Sequence, residues 1–265
     1  AEDGIRDLVR SRGLGDVYKR QIRDAYASEG RPCEIRQGWS RMYVDTSGPD
    51  PAGPLARVFG ISSWSEIDAV VPAELAAIVE RGRTLYGERV KGRTYAVRAR
   101  RSGEHEFRSS DVMERLGAAL NPGATVDLDA PEVEVFVEVR DEEARLFADR
   151  TPGPGGLPLG AESRAVALLS GGFDSAVAAW TLLRRGVALD YVFCNLGGDA
   201  YRRMVVEVAK HLADRWSYGI RPRLHVVDFN PVVAELRRAV ESPYLQVALK
   251  RQMYRAAEAV AGRTG

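Results

Sequence analysis

The chain has 265 residues, enough for two domains or for one domain with a small appendage. Its 38 basic and 37 acidic residues leave a formal net charge of +1. This balance excludes a basic field over the whole molecule, so any contact with nucleic acid must come from local patches. The two cysteines, Cys33 and Cys194, are too few for a zinc site of their own. With no export signal and no run long enough to span a membrane, the composition predicts a soluble cytoplasmic protein with free thiols.

The first 21 residues stand apart from the rest of the chain. The peptide GDVYKRQ at 15–21 is the translation of GGA GAT GTG TAT AAG AGA CAG, bases that match a common transposase sequencing adapter. We therefore expect residues 1–21 to be a non-native, adapter-derived segment, and its basic residues are not counted as an RNA-binding patch. The alternative is an ordinary basic helix at the N-terminus.

Two segments of different character follow. Residues 22–53 are short and contain a predicted strand at Trp39–Val44, and a Pro/Gly cluster at Gly48–Pro54 marks a connection. Residues 54–150 predict a small α+β domain, in which the strict alternation of valine with polar residues over Glu132–Val139 is typical of a half-buried strand. The other elements predicted here are a helix at Pro72–Leu85, a strand at Thr94–Ala99, a helix at Asp111–Leu120 and a strand at Ala144–Ala148.

The clearest boundary in the chain is the linker Thr151–Gly160, whose sequence TPGPGGLPLG is too rich in proline and glycine to continue a helix or strand. After it, residues 161–265 alternate between strand and helix patterns, which predicts a doubly wound parallel sheet. Ligands of such sheets bind at the carboxyl ends of the strands. The predicted strands are Ala165–Leu169, Leu189–Phe193 and Leu224–Phe229, and the predicted helices are Ala176–Arg185, Tyr201–Trp216 and Tyr244–Ala261.

The segment Ser170–Ser175 (SGGFDS) connects the first of these strands to the first helix. In such a turn, consecutive backbone N–H groups and a helix N-terminus face one point, which attracts phosphate, and glycine allows the backbone to approach closely. The hydroxyls of Ser170 and Ser175 can add donors. Asp174 is itself an anion, so it suggests a role through Mg²⁺ or in positioning the helix. The simpler alternative is a tight connection with an ordinary N-cap.

A second candidate site is a basic turn between a strand end and the following helix. Its cationic residues are Arg98, Arg100, Arg101, His105 and Arg108, in the sequence VRARRSGEHEFRSS. Such a cluster could contact RNA phosphates. From charge alone, a solvated basic turn is the more common explanation of this pattern.

Four motifs together carry a resemblance to a known family. The string SGGxDS is the signature of PP-loop ATP pyrophosphatases, and Tyr95–Asp111 resembles the THUMP pattern FxVRxKRxGxHxFxS, with tyrosine first and arginine in the lysine position. The linker GGLPLG, the FCNLGG run at 193–198 and the LKRQMYR run at 249–255 also resemble motifs of one family. In this order they are similar to the ThiI family of tRNA 4-thiouridine synthetases, from about Trp39 to the end of the chain.

The resemblance implies a fold and an activity. The implied order is a short ferredoxin-like segment (22–53), an RNA-binding THUMP domain (54–150) and a PP-loop domain of the adenine nucleotide alpha hydrolase type (161–265). Family members use ATP and Mg²⁺ to adenylate a tRNA uridine at O4, and a persulfide sulfur supplied by a cysteine desulfurase then displaces AMP to give 4-thiouridine. Some also pass sulfur toward the thiamine thiazole, and related enzymes tend to be dimers.

The resemblance also implies roles for individual residues. The phosphates of ATP would be held by the turn, with Asp174 as the catalytic residue, and no side chain is predicted to form a metal site. Phe193 and Cys194 would lie near the adenine and contact it through their backbone, and Lys250 would neutralise phosphate charge. The full set implied for ATP is Leu168, Leu169, Ser170, Gly171, Gly172, Asp174, Ser175, Phe193, Cys194 and Lys250, and the set implied for RNA is the basic turn.

One departure from the family pattern is expected to matter. The chain stops at Gly265, where a strand ending in Thr-Gly-Glu and then the catalytic cysteine should follow, so the sequence predicts an incomplete PP-loop domain and an inactive fragment. Two alternatives remain open at this point. One is a THUMP-containing tRNA-binding protein that only binds ATP, and the other is a PP-loop ligase that forms amides and needs no RNA.

Overall fold

A computed structural model describes residues 2–38 and 41–264, which divide into two compact units. The first unit combines Ala1–Ser62 with Pro152–Gly265, and the second is Ser63–Thr151. The mixed α/β architecture expected from the sequence is confirmed. Part of the predicted strand at Trp39–Val44 lies outside the described residues, since these omit residues 39 and 40.

The chain begins with a helix and a hairpin that belong to the first unit. Helix α1 (Glu2–Ser28) is followed by strands β1 (Cys33–Gln37) and β2 (Met42–Thr46), which pair antiparallel, and then by a 3₁₀ helix at Gly53–Arg57. Helix α1 crosses residue 21 without a break, so its backbone does not mark the boundary drawn there. An origin of residues 1–21 in an adapter remains a prediction about the DNA.

Contacts tie α1 to the linker and to the C-terminal part of the same unit. The side chain of Gln21 is buried and accepts a hydrogen bond from the backbone N–H of Leu159 at 3.0 Å. Asp24 accepts one from the backbone N–H of Gly219 at 2.8 Å. Phe59 stacks on Trp216 with 5.1 Å between ring centroids. The linker is therefore held by hydrogen bonds and packing within this unit.

The second unit is a five-stranded mixed sheet with two helices. Its strands follow the spatial order β4-β8-β7-β5-β6, in which β7 pairs parallel with β5 and antiparallel with β8. The predicted strand at Glu132–Val139 is confirmed with a shift of one residue, because four valines of Val133–Arg140 alternate into the core. The elements of the sheet and its helices are β4 (Ala69–Pro72), α2 (Leu75–Val90), β5 (Thr94–Ser102), α3 (Ser109–Leu120), β6 (Thr125–Val126), β7 (Val133–Arg140) and β8 (Glu143–Ala148). Strands β3 (Ser63–Trp64) and β9 (Thr151–Pro152) form a separate two-stranded sheet.

The C-terminal part of the first unit contains the predicted parallel sheet. Strands β10, β11 and β12 pair in sequence order and all run parallel. Helices α4 and α5 pack on one face, around Phe193 and Leu169, and α6 and α7 pack on the other, around Cys194 and Leu168. The elements are β10 (Arg164–Leu168), α4 (Phe173–Arg184), β11 (Ala188–Asn195), α5 (Gly198–Trp216), β12 (Leu224–Asp228), α6 (Asn230–Ala239), a 3₁₀ turn (Ser242–Tyr244) and α7 (Leu245–Thr264).

The sequence missed one helix of this region. Helix α6 begins at Asn230, whose backbone N–H donates to the carboxylate of Asp228 at 3.0 Å, and Pro231 occupies its first turn. Proline is well suited to the first turn of a helix, because it lacks an N–H that would have no partner there. In the Asp-Phe-Asn-Pro run, the carboxylate of Asp228 therefore fixes the chain just before the helix, and proline fills its first turn.

Candidate functional site

The glycine-rich turn lies between β10 and α4 and folds around its own hydroxyl groups. The hydroxyl of Ser175 accepts a hydrogen bond from the backbone N–H of Ser170 at 3.0 Å and lies 3.1 Å from the carbonyl oxygens of Ser170 and Gly172. The hydroxyl of Ser170 accepts one from the N–H of Gly172 at 3.3 Å. These bonds fix the turn at the carboxyl end of β10, where the first N–H groups of α4 have no partner within the helix. The geometry is that of an anion site.

Gly171 lies where the turn packs closely against helix α5, at the end of the flexible side chain of Met204. A Cβ built on Gly171 would lie 2.1 Å from Cε of Met204. A second residue of α5, Tyr201, stands one turn earlier and packs on the ring of Phe193, with 5.7 Å between centroids. Both were absent from the predicted site. Their spacing of three residues on a predicted helix was the signal that could have placed them on one face.

Asp174 lies in the first turn of α4 and is exposed. A carboxylate in this position faces the solvent at the helix N-terminus, where negative charge is favoured. Its neighbour Phe173 has 91% of its surface exposed. The turn is therefore an open site with one carboxylate.

The side chains of four predicted ATP residues do not face this opening. Leu169 and Phe193 are buried against α4 and α5, while Leu168 and Cys194 pack on the opposite face with α7. Only the backbones of these four residues are positioned to meet a ligand. Burial raises the pKa of Cys194 to about 11, so its thiol is protonated at neutral pH.

A second glycine turn follows β11 at the same edge of the sheet. The side chain of Asn195 accepts a hydrogen bond from the N–H of Gly197 at 3.2 Å, and Gly198 starts α5 with a φ of +71°. Parallel strands end at a common edge, so this turn and Ser170–Ser175 border the same side of the sheet.

Lys250 is exposed in the second turn of α7. Its neighbour Leu249 and Met253, one turn later, pack against the sheet beside Leu168 and Cys194. In the part of the chain that the structure describes, no ion pair is formed by Lys250 or by Arg251. The ammonium group is thus available to an anionic ligand.

The five residues of the basic turn lie in different environments in the structure. Arg98 is half-buried, donates to Glu134 at 3.1 Å and to the carbonyl of Leu128 at 2.6 Å, and is thereby held in place. Arg100 follows two residues later on β5 and is exposed on the same face, opposite the helices, because Val97 and Ala99 face the core.

The turn itself holds the next two residues of the set, Arg101 and His105. Arg101 lies 3.4 Å from Nδ1 of His105, and Nε2 of His105 lies 2.7 Å from the carbonyl oxygen of Asp141. A carbonyl only accepts, so Nε2 carries the proton and Nδ1 accepts from Arg101. Arg108 is the N-cap of α3; its N–H donates to Asp111 at 2.7 Å, and its side chain is exposed. Arg100 and Arg108 are consequently the more available cations.

Comparison with known families divides the chain as the fold does. The family profile described as "Thiamine biosynthesis protein (ThiI)" matches residues 160–265, and the profile described as "THUMP domain" matches residues 72–149. The first covers β10 to α7 with the glycine-rich turn. The second covers the basic turn and the five-stranded sheet, except for the first three residues of the edge strand β4.

Several curated relatives are similar over most of this chain. A probable tRNA sulfurtransferase of Aeropyrum pernix is 39% identical over 97% of this chain and 66% of its own length, so the match extends into residues 1–21. The tRNA sulfurtransferases of Desulfurococcus amylolyticus (41% identical, 80% of this chain, 44% of its own) and Marinobacter nauticus (39%, 92% and 52%) are also similar. The chain thus spans about half to two thirds of the length of the curated relatives it matches.

Two solved structures resemble the fold. A 4-thiouridine synthetase in complex with RNA and with bound ATP matches at a TM-score of 0.84 and 26% identity, over 97% of this chain and 67% of that one. PH1313 from Pyrococcus horikoshii matches at 0.74 and 28% identity, over 86% and 76%. Among the described residues, no helix is long and apolar enough to cross a membrane.

Proposed function

The chain belongs to the ThiI family of tRNA sulfurtransferases, and from that premise we propose that it binds ATP at Ser170–Ser175 and tRNA through its THUMP domain. The observation that carries the proposal is the self-bonded glycine-rich turn at the N-terminus of α4. It presents backbone donors to phosphate at the sheet edge where nucleotides bind in such folds. The similar 4-thiouridine synthetase structure contains both RNA and ATP, which supports this assignment.

We propose that the reaction is adenylation of a uridine followed by sulfur transfer. The O4 oxygen of the uridine attacks the α-phosphorus of ATP, and the bond from this phosphorus to pyrophosphate breaks. The terminal sulfur of a persulfide then attacks C4, AMP leaves with the former O4, and a second thiol cleaves the resulting disulfide, which releases 4-thiouridine and leaves the carrier sulfur in a disulfide with that thiol. Lys250 would offset the negative charge that builds on the phosphates. Orientation by the turn places the α-phosphorus for the first step.

Mg²⁺ fits this arrangement through a single carboxylate. The described residues contain no group of three or more acidic, histidine or cysteine side chains that could enclose a metal ion. Mg²⁺ is commonly held by one or two carboxylates together with the phosphates of the substrate, and Asp174 is exposed at the right end of the helix. The ion would neutralise phosphate charge and favour the departure of pyrophosphate.

From the family we also propose the sulfur donor, the oligomeric state and the cellular location of the whole protein. Sulfur would come from a cysteine desulfurase, and Cys194 is not proposed as its carrier because it is buried and protonated. A homodimer, a cytoplasmic location and a contribution to thiamine thiazole synthesis are proposed on the same basis. Free thiols at Cys33 and Cys194 fit a reducing compartment.

The test is tRNA-dependent exchange of pyrophosphate into ATP, measured on the wild type and on Asp174→Ala. We expect a loss of at least about 100-fold in the variant, as for removal of a charge-stabilising group in other enzymes. Asp199→Ala is the matched control, because Asp199 occupies the first turn of the neighbouring helix α5 and pairs with Arg202. Equal exchange rates in the wild type and Asp174→Ala would refute the role of the turn.

A further inference from the structure

The outer side of α7 carries exposed side chains that do not pack on the sheet, and one of these, Lys250, is also assigned to the proposed ATP site. Val247, Arg251 and Tyr254 follow one another at spacings of four and three residues, so they lie along one side of the helix, and Tyr244 stands just before it. The exposed fractions are 63% for Tyr244, 68% for Val247 and 65% for Tyr254. Soluble proteins seldom leave aromatic residues this open in series. We call this surface the α7 stripe, formed by Tyr244, Val247, Lys250, Arg251, Tyr254 and Arg255.

The α7 stripe is also basic. The segment 230–264 carries six basic and three acidic side chains in a chain whose formal net charge is only +1. Lys250, Arg251 and Arg255 are all exposed. Across residues 2–38 and 41–264, no hydrogen bond or ion pair engages their side chains. Glu258, one turn beyond Tyr254, is the acidic residue closest along the helix.

This combination favours one kind of partner. A symmetric dimer through the α7 stripe would bring cations of one copy against the same cations of the other, and Val247 is its only aliphatic residue. A nucleic acid strand instead offers phosphates to the cations and bases to the tyrosine rings. Bases in a duplex are already stacked, so the rings suit an unpaired strand.

We propose that the α7 stripe binds single-stranded RNA, which would be an unpaired part of the tRNA substrate. The inference rests on the proposed function, because it assumes an RNA substrate, but it assigns a contact surface outside the THUMP domain. Lys250 is common to both proposed sites, because it belongs to the α7 stripe and is also proposed to offset the phosphate charge of ATP.

The experiment measures the binding of a fluorescein-labelled oligouridylate and of a tRNA transcript by fluorescence anisotropy across a salt series. We expect Tyr244→Ala with Tyr254→Ala to weaken oligouridylate binding by about tenfold for each tyrosine. Arg251→Glu with Arg255→Glu should lower the slope of log affinity against log salt by about two. ATP affinity should be unchanged in both double variants.

The control is Arg185→Glu with Arg215→Glu, which changes the net charge equally. Both residues are exposed near the C-terminal ends of α4 and α5, away from the α7 stripe. Unchanged oligouridylate binding in the tyrosine variant overturns the inference, and so does an equal loss in the control. A dimer that dissociates in the stripe variants also overturns it, because a second copy is then the occupant. If the wild type binds no tRNA at all, both this inference and the proposed function are wrong.

Discussion

The two ends of the parallel sheet in the first unit are built for different purposes. At the carboxyl end, Ser170–Ser175 is open and Asp174 is exposed. At the amino end, Asp190 is 3% exposed and accepts hydrogen bonds from Arg164 at 3.1 Å and from the backbone N–H of Arg223 at 2.8 Å. Asp190 thereby links β10, β11 and the entry to β12. The carboxyl end leaves backbone N–H groups free for a ligand, whereas the polar groups of the amino end form hydrogen bonds within the protein.

The role of a carboxylate in this fold therefore depends on its burial and on its hydrogen-bond donors. Asp174 and Asp190 flank the same sheet, but only Asp190 is buried with donors on two neighbouring segments. A buried acceptor that loses its donors is costly, while an exposed one is solvated by water. Replacing Asp190 should therefore affect folding, and replacing Asp174 should affect chemistry.

The largest expected effect is on stability at the amino end. Asp190→Ala should lower the free energy of unfolding by about 2–3 kcal/mol, because it leaves the N–H of Arg223 without its acceptor and removes a partly exposed ion pair with Arg164. Chemical denaturation monitored by tryptophan fluorescence measures this change. Asp174→Ala is the control and should unfold within about 0.5 kcal/mol of the wild type. If the two variants unfold alike, the contrast between the ends is wrong.

The next effect concerns ATP at the carboxyl end. Gly171→Ala should weaken ATP binding by about fivefold, because its Cβ meets Cε of Met204, and this partly exposed, flexible side chain must move aside for the turn to keep its bonded geometry. Isothermal titration calorimetry measures the affinity. Met204→Ala in the same chain should restore most of the loss, since it removes the atom that the new methyl group meets. A double variant as weak as Gly171→Ala would contradict this explanation.

The hydroxyl groups give a smaller effect at each end. Ser175→Ala removes the acceptor for the N–H of Ser170 and should reduce stability by about 1 kcal/mol together with ATP affinity. Ser217→Ala is its counterpart, because the buried hydroxyl of Ser217 donates to the carbonyl of Leu212 at 3.0 Å, after the last turn of α5. It should cost similar stability and leave ATP binding intact. Thermal unfolding and calorimetry separate the two outcomes.

Much of the carboxyl end could be predicted from the sequence, because it rests on local chemistry. The segment Ser170–Ser175 contains the glycines and the serines at the change from strand to helix. A phosphate-binding turn can therefore be predicted from these adjacent residues without knowledge of distant ones. The parallel sheet followed from the alternation of apolar runs in the same way.

The remaining features depend on packing between segments far apart in the chain. The sequence around Asp190 contains no signal that its carboxylate will accept hydrogen bonds from Arg164 and Arg223. The contact of Gly171 with Met204 arises only when α5 packs beside α4. Likewise, the predicted ATP residues Leu168 and Leu169 proved to face opposite cores, because side chains alternate across a strand.

A weaker effect is expected near the carboxyl end, at the penultimate residue of β11, Cys194. Its thiol is buried, and its pKa of about 11 lies above that of an ordinary cysteine, so the neutral form is favoured in the folded state. This contribution to stability is present at neutral pH and is lost as the pH rises through about 11. Alkylation by iodoacetamide in a Cys33→Ser background should therefore be slow at pH 8 and fast in urea. Rapid alkylation of the folded protein at pH 7 would instead reveal a reactive thiolate, and Cys194 would become a candidate for the sulfur chemistry.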